Sequence, residues 1–214
     1  MQKGLVGWRG PLPVWAMRLF LFGGAVALAV AAQQGNAGDA AETAPGVRVV
    51  QSAIEQTQYT RFYDPSYVRI PYPGGDVPLE RGVCTDVIIR AFRAAGVDLQ
   101  KEIYVDMAAN YVEYPPKWGQ RRPDRSIDHR RVPNLMTFFE RKGKSLAISN
   151  DPASYLPGDV VAWDLGRGIL HVGIVTDVKS GDGLRRLLVH NLGSGAKIED
   201  ILQSWKIMGH YRYF

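Results

Sequence analysis

This 214-residue chain has no disulfide chemistry of its own, because it holds a single cysteine, Cys84. A sole thiol cannot close an internal bridge, so Cys84 must be explained by packing, by metal ligation or by nucleophilic chemistry. After residue 32 no apolar run approaches the ~20 residues a spanning helix needs, which leaves only the N-terminal segment as a membrane-directed element. No Lys/Arg run is interleaved with aromatics as a single-strand groove requires, and the short paired ligand spacings of a zinc site are missing. No internal repeat and no second linker divides the sequence. These absences exclude a disulfide scaffold and a polytopic membrane protein, and they give nucleic acid no support as a partner.

The N-terminus carries its own signal. Lys3, Arg9 and Arg18 precede the uncharged apolar stretch Leu19 to Ala32. Within it, Ala29-Val30-Ala31 or Val30-Ala31-Ala32 offers a small-residue cleavage site. Residues 1–32 therefore read as an export signal peptide, with a retained membrane anchor as the alternative. Removing it takes three positive charges from a formal net charge of +5, leaving +2 (5 − 3), since no acid lies before Asp39. That is an ordinary surface, and the sequence pI of 9.3 does not imply a polyanion partner. Arg121-Arg122 and Arg130-Arg131 read as solvated or salt-bridged pairs, with an anionic cell-surface polymer as the other candidate. Residues 33–46, rich in Ala, Gly and Thr, look like a flexible leader. Residues 47–214 suit one domain with a single core. Export would place Cys84 in an oxidising compartment, where an unpaired thiol needs a reason.

Apolar periodicity changes along the domain from helical to strand-like. The spacing of Val49, Val50, Ala53 and Ile54 predicts a helix over Val47 to Tyr59. Val87, Ile88, Ala91 and Phe92 form one apolar face of a helix over Cys84 to Ala95, followed by Gly96 as its C′ residue. Asp98 can cap a third helix that Pro115-Pro116 stops, and Pro133 to Lys142 reads as a fourth, closed by Gly143. Then come short aliphatic runs separated by turn residues: Asp159 to Trp163, Leu170 to Val175 and Leu187 to His190, with Ile207 to Phe214 as a last strand. That order predicts an α+β domain with an antiparallel meander.

A cysteine on the first turn of a helix sits beside the positive end of the helix dipole and beside free backbone N–H groups, which favour thiolate and can hold an oxyanion. Acyl transfer then needs an imidazole and a group that fixes its tautomer. His171 opens a strand and shares one face with Gly173, which adds little bulk beside it. His190 lies on the next strand, where a hairpin can set it next to His171. Asn191 is the alternative orienting residue; successive strand positions face opposite sides, so only one of the two can point at His171. Packing alone, or zinc held by Cys84, His171 and His190, are the competing readings. His129 and His210 read as hydrogen-bonding residues, Asp86 as a first-turn helix charge facing away from the thiol, and Asp159 as a turn residue.

The stretches Tyr72-Pro73-Gly74-Gly75, Gly82-Val83-Cys84-Thr85-Asp86-Val87-Ile88, Leu156-Pro157-Gly158-Asp159, His171-Val172-Gly173-Ile174-Val175 and Val189-His190-Asn191 together resemble the NlpC-type branch of the papain-like cysteine peptidases, bacterial cell-wall hydrolases. The resemblance covers roughly residues 70 to 192 and implies a papain-like fold. It implies Cys84 as nucleophile, His171 as general base, His190 as orienting group and Tyr72 as a residue lining the site. It further implies hydrolysis of an amide in peptidoglycan stem peptides, in the periplasm or another extracytoplasmic space, by an expected monomer that needs no cofactor and no metal. The alternative is a non-catalytic envelope module that binds cell-wall peptide in the same groove. The chain departs from that family in having Val83 before the cysteine and Thr85-Asp86 after it, where Asp and Ser-Gly are usual. It also carries an insert, Glu113 to Arg131, whose aromatics and arginines could wall a groove for a carboxylate-bearing polymer. Across nearly the whole mature chain, GVCTDV, IDHRRVPNL, VHN and GHYRY resemble an uncharacterised family of exported bacterial proteins; that resemblance carries no activity.

Overall fold

Among the described residues four helices gather on one face of a five-stranded antiparallel sheet, in the order the periodicity predicts. The computed structural model describes Met1, Gly7, Gly10 and residues 44–214; the expected signal segment and most of the leader lie outside the described residues. Among the described residues no helix is long and apolar enough to cross a membrane.

Helix α1, Pro45–Tyr59, starts slightly before the expected boundary because Pro45 takes the first helical position, where its missing N–H costs nothing. It buries Val49, Val50, Ala53 and Gln56. The Gln56 amide donates to the carbonyl of Val87 at 3.1 Å, tying α1 to its neighbour. After the two-residue parallel pair β1, Phe62–Tyr63, and β2, Arg81–Gly82, the chain enters α2, Cys84–Ala94, in which every residue from Cys84 to Phe92 is buried. A helix enclosed on all sides cannot rely on water to satisfy its first N–H groups. Val83, its N-cap, has no side-chain acceptor, so Asp86 reaches back and accepts from the Val83 N–H at 2.6 Å. The other end closes as a Schellman motif: Gly96 has φ of 87°, Val97 N–H bonds Phe92 O and Gly96 N–H bonds Arg93 O, both at 2.9 Å. Helix α3, Leu99–Ala109, is capped by the Asp98 carboxylate, and α4 is Val132–Arg141.

Strands β3, Val160–Asp164, β4, Leu170–Lys179, β5, Arg186–Asn191, β6, Ala196–Glu199, and β7, Lys206–Tyr211, lie side by side in the order β6-β5-β4-β3-β7. The sheet is thus wider than the expected meander. Strand β6 has no counterpart among the expected strands: Ala196 to Glu199 alternates apolar and polar residues but is too short for periodicity to show. Strand β7 crosses back to pair with β3 and ends at Tyr211 rather than at Phe214.

Period two divides the sheet's side chains between two cores. Val160, Ala162, Val172, Ile174 and Val189 face the helices with Val87, Ile88 and Phe92. Val161, Trp163, Val175 and Leu188 face the other way, under Ile201 and Leu202 from the segment between β6 and β7. Asp159, just ahead of β3, is 1 % exposed and ties the start of β3 to the end of β7. Its carboxylate accepts from His210 Nε2, from two Arg212 nitrogens, all at 2.7 Å, and from Leu156 N–H at 2.8 Å. Burial raises its pKa, but these bonds outweigh burial and hold the carboxyl below its ordinary value.

Candidate functional site

Cys84 occupies the first position of α2 with its residue 5 % exposed, at the floor of a cavity of about 390 Å³ lined by Tyr63, Tyr67, Trp118, Arg130 and Leu170 among others. Burial pushes the thiol up to about 12 against the pull of the Val172, Thr85 and Cys84 N–H groups, and the Asp86 charge adds to the rise. In this conformation it is therefore a protonated thiol ringed by backbone donors. Asp86 does not face away as helical spacing suggests. It folds back to cap Val83 and meets Arg130 in a two-point ion pair, 2.9 and 3.0 Å, which offsets its charge close to the sulfur. Arg130 in turn donates to the carbonyls of Ser66 and Asp64, both at 3.2 Å, and its own carbonyl accepts from Thr85 at 2.8 Å. One guanidinium thus joins the helix start, the 64–66 loop and the insert. Thr85 and Asp86, the residues that depart from the peptidase pattern, both hold Arg130.

The two strand histidines meet. His171 Nε2 and His190 Nδ1 are 2.9 Å apart, and the His171 ring stacks on Trp163 at 5.9 Å between centroids. Gly173 permits this closeness: a Cβ there would lie 3.3 Å from His190 Cβ and 3.3 Å from the Trp163 ring. The pairing continues outward, since His190 Nε2 lies 2.8 Å from Glu199 Oε2. Burial, then the neighbouring His190, depresses the His171 pKa to about 3; burial also lowers that of His190, against the pull of Glu199. Both rings are neutral at pH 7.

The thiol and the histidines approach from different sides of the sheet. Leu170, Val172 and Ile174 face the helices, so His171 faces the second core. Among the described residues no hydrogen bond links Cys84 to either imidazole. Yet Cys84 lies against the Val172 N–H, the residue next to His171. Pairing of β4 with β5 begins only at Ile174↔Val189, which leaves the start of β4 open where the sulfur lies. Asn191 takes no part in orienting His171. Its Nδ2 donates to the Gly82 and Phe62 carbonyls at 3.0 and 3.3 Å, on the helix side. Tyr72 does not line the thiol cavity: its ring packs on Tyr104 at 5.0 Å, beneath Arg125. The tyrosines that line the thiol cavity are Tyr63 and Tyr67, and the Tyr63 phenol is raised by burial and then by Cys84.

Two further cavities adjoin the thiol cavity around the insert. One of about 790 Å³ shares Tyr67 with it and is lined by Arg69, Arg121, Arg122 and Arg125, with Asp124 the single acid. The other, about 290 Å³, shares Trp118 and Arg131 with it and is walled by Tyr111, Tyr114 and Pro115-Pro116. Arg131 lies 3.9 Å above the Trp118 ring and bonds Gln120 and Asp128, so the insert's basic and aromatic residues are ordered by one another.

Residues 50–213 match the family described as Domain of unknown function (DUF1287). The chain belongs to this DUF1287 family. The uncharacterized protein YijF of Escherichia coli (strain K12) is 53 % identical over 166 residues, 78 % of this chain and 80 % of that protein. No solved structure matches the chain. The DUF1287 match encloses Cys84, His171, His190 and Glu199. None of these comparisons points to NlpC-type peptidases. Among the described residues no cluster of three or more His, Cys, Asp or Glu side chains could hold a metal. His210 makes the expected hydrogen bonds, to Asp159 and the Ala147 carbonyl, whereas the His129 ring is buried with no hydrogen-bond partner among the described residues. Sequence reasoning missed Tyr63, Arg130 and Glu199 as site residues. Only Arg130 left a trace, as one half of a basic pair.

Proposed function

We propose that this DUF1287 domain is an extracytoplasmic cysteine hydrolase with a papain-like, NlpC-type arrangement, acting on an amide of cell-wall peptide. The observation that carries the proposal is the position of Cys84. It stands on the first turn of a buried helix, lining a groove, against the N–H of Val172, whose neighbour His171 on the other face of the sheet has its ring oriented by a second histidine. Localisation outside the cytoplasm follows from the export signal read in residues 1–32.

In the reaction, a bound amide lowers water access to the groove, and the start of β4, unpaired with β5 before Ile174, has to shift so that the neutral His171 imidazole, which faces the second core in this conformation, meets the neutral thiol. His171 accepts the thiol proton, Sγ bonds to the carbonyl carbon, and the carbonyl π pair moves to oxygen, facing the N–H groups that now surround the sulfur. Collapse breaks the C–N bond, and the leaving amine takes the proton from His171. Water, deprotonated by the same nitrogen, then cleaves the thioester to release the acid and restore the thiol. The neighbouring arginines would hold carboxylates of the stem peptide, and Trp118 and Tyr111 offer faces for its apolar parts.

Purified muropeptides test this. Wild type is expected to give new products, while Cys84→Ala and His171→Ala give none; identical product profiles for wild type and Cys84→Ala would defeat the hydrolase reading. Arg121→Gln/Arg122→Gln is expected to raise KM about tenfold with kcat little changed, consistent with the loss of two exposed charge-assisted contacts. One observation favours a second reading: a thiol held near 12 is not a standing nucleophile, which suits a groove that binds peptide without cleaving it. Retained binding by both wild type and Cys84→Ala, with no product from either, is its expected outcome.

A further inference from the structure

The histidine pair does not end at His190. Strand β6 places Glu199 beside it, with Oε2 2.8 Å from His190 Nε2. The Glu199 side chain is 45 % exposed while that of His190 is 2 % exposed, so the carboxylate sits at the surface end of a buried chain running Glu199, His190, His171. No signal in the sequence marks Glu199, and no role for it follows from the thiol and the two histidines alone.

An ionised carboxylate only accepts hydrogen bonds, and a neutral imidazole has one donor and one acceptor nitrogen. Opposite the Glu199 oxygen, His190 Nε2 must therefore carry the proton, because two lone pairs at 2.8 Å would repel. His190 Nδ1 is then the acceptor. The nitrogen 2.9 Å away, His171 Nε2, must in turn be the donor, which leaves the lone pair of His171 on Nδ1. The reverse chain, with His190 donating from Nδ1, needs either an unprotonated Nε2 against a carboxylate or a doubly protonated, buried His190. Both are costly in a dry setting.

We infer that Glu199 is a positioning residue that fixes the tautomers of both histidines and so leaves His171 Nδ1 as the basic nitrogen. The inference rests on the reading of His171 as the general base, and it gives that reading its proton acceptor. When Nδ1 takes a proton, the new charge on His171 is stabilised through His190 by the Glu199 carboxylate, and no proton needs to leave His171 toward Glu199. The sheet register is built for this. His190 pairs with Lys197 and Leu188 with Glu199, which puts residues 188, 190, 197 and 199 on one face of the β5–β6 pair.

Nitrogen-15 NMR of the full chain at pH 7 reads the tautomers directly, without substrate. The chain has four histidines, and single His→Asn variants assign the rings. The expected result is Nε2–H on both His171 and His190 in the wild type, and a mixture of tautomers on His190 in Glu199→Ala. Glu199→Asp, with the carboxylate kept, is expected to restore most of the Nε2–H form. Where muropeptide turnover is present, Glu199→Ala is expected to lower kcat by at least about tenfold with KM unchanged, the signature of a group acting only on the chemical step. His171 found as Nδ1–H in wild type overturns the inference, as does a His190 tautomer indifferent to Glu199→Ala. The two readings fail separately: expected tautomers without turnover defeat the hydrolase alone, and turnover with reversed tautomers defeats the role of Glu199 alone.

Discussion

Arg130→Met is expected to lower the unfolding free energy by about 3–5 kcal/mol, the cost of leaving a buried carboxylate without its partner. Asp86 and Arg130 side chains are 4 % and 2 % exposed, so water cannot replace the guanidinium. Methionine supplies a long apolar side chain without the charge. Against a total stability of about 5–15 kcal/mol for a domain, the loss is a third or more of the total across most of that range and brings a domain at its lower end near the unfolding midpoint. Urea titration at pH 7 measures it, and Arg130→Met/Asp86→Asn separates the causes. If the stranded charge dominates, the double variant recovers a large share of the loss, because the amide that replaces the Asp86 carboxylate brings no charge into the interior. If the double variant is no more stable than Arg130→Met, the cost lies in the lost bonds to the Ser66 and Asp64 carbonyls. In either case the 64–66 loop is released from the start of α2, and alkylation of Cys84 by iodoacetamide is expected to become faster than in wild type.

Acidification from pH 7 to pH 4.5 is expected to remove several kcal/mol more. His129 is depressed to about 4 by burial and then by the adjacent Arg130, and His171 to about 3 by burial and then by His190. Free histidine titrates near 6.5, so between that value and the folded pKa the unfolded chain binds more protons than the folded one. The stabilising effect of keeping these rings neutral is complete above about pH 6.5 and is lost as pH falls toward 4 and then 3. Each of the two contributes on the order of 2 to 3 kcal/mol over this range, and His190, shifted in the same direction, adds to the slope. Asp159 acts lower: its depressed carboxyl contributes fully above about pH 4 and is lost only below that. Urea midpoints at pH 7, 6, 5 and 4.5 should therefore fall steadily, and His129→Leu should fall less steeply. A midpoint unchanged between pH 7 and pH 5 would show that these rings are solvated or already protonated when folded.

Much of this fold was legible because local signals and tertiary packing agree. Asp98, Gly96 and Gly143 mark helix ends by backbone chemistry that no packing overrides, and the apolar face of α2 points into the core as its spacing requires, whereas Pro45, placed by the sequence in the leader, opens α1. Strand β6 was not legible, since a four-residue edge strand takes its identity from its neighbour β5. The same limit holds at the site. Alternation along β5 correctly separates His190 from Asn191, and His190 does pair with His171. Alternation along β4 also turns His171 away from the helix that carries Cys84, a consequence the sequence contains but which shows only when the face toward α2 is known. Motif order points to Tyr72, whereas Tyr63 lines the thiol cavity by way of the β1–β2 pair, a contact between segments about 20 residues apart with no periodic signal.

The ionic clasp on Asp159 also constrains when the domain can close. Its partners, His210 and Arg212, lie about 50 residues downstream, on and just beyond the strand that pairs with β3. A nascent chain that stops short of residue 206 has an open β3 edge and an acid with nothing to neutralise it, so its sheet gains little from forming early. On the export route proposed above, such a chain would stay extended while it is being made, the state a secretion channel accepts, and would acquire its stable form only after residues 206–212 have followed the rest across.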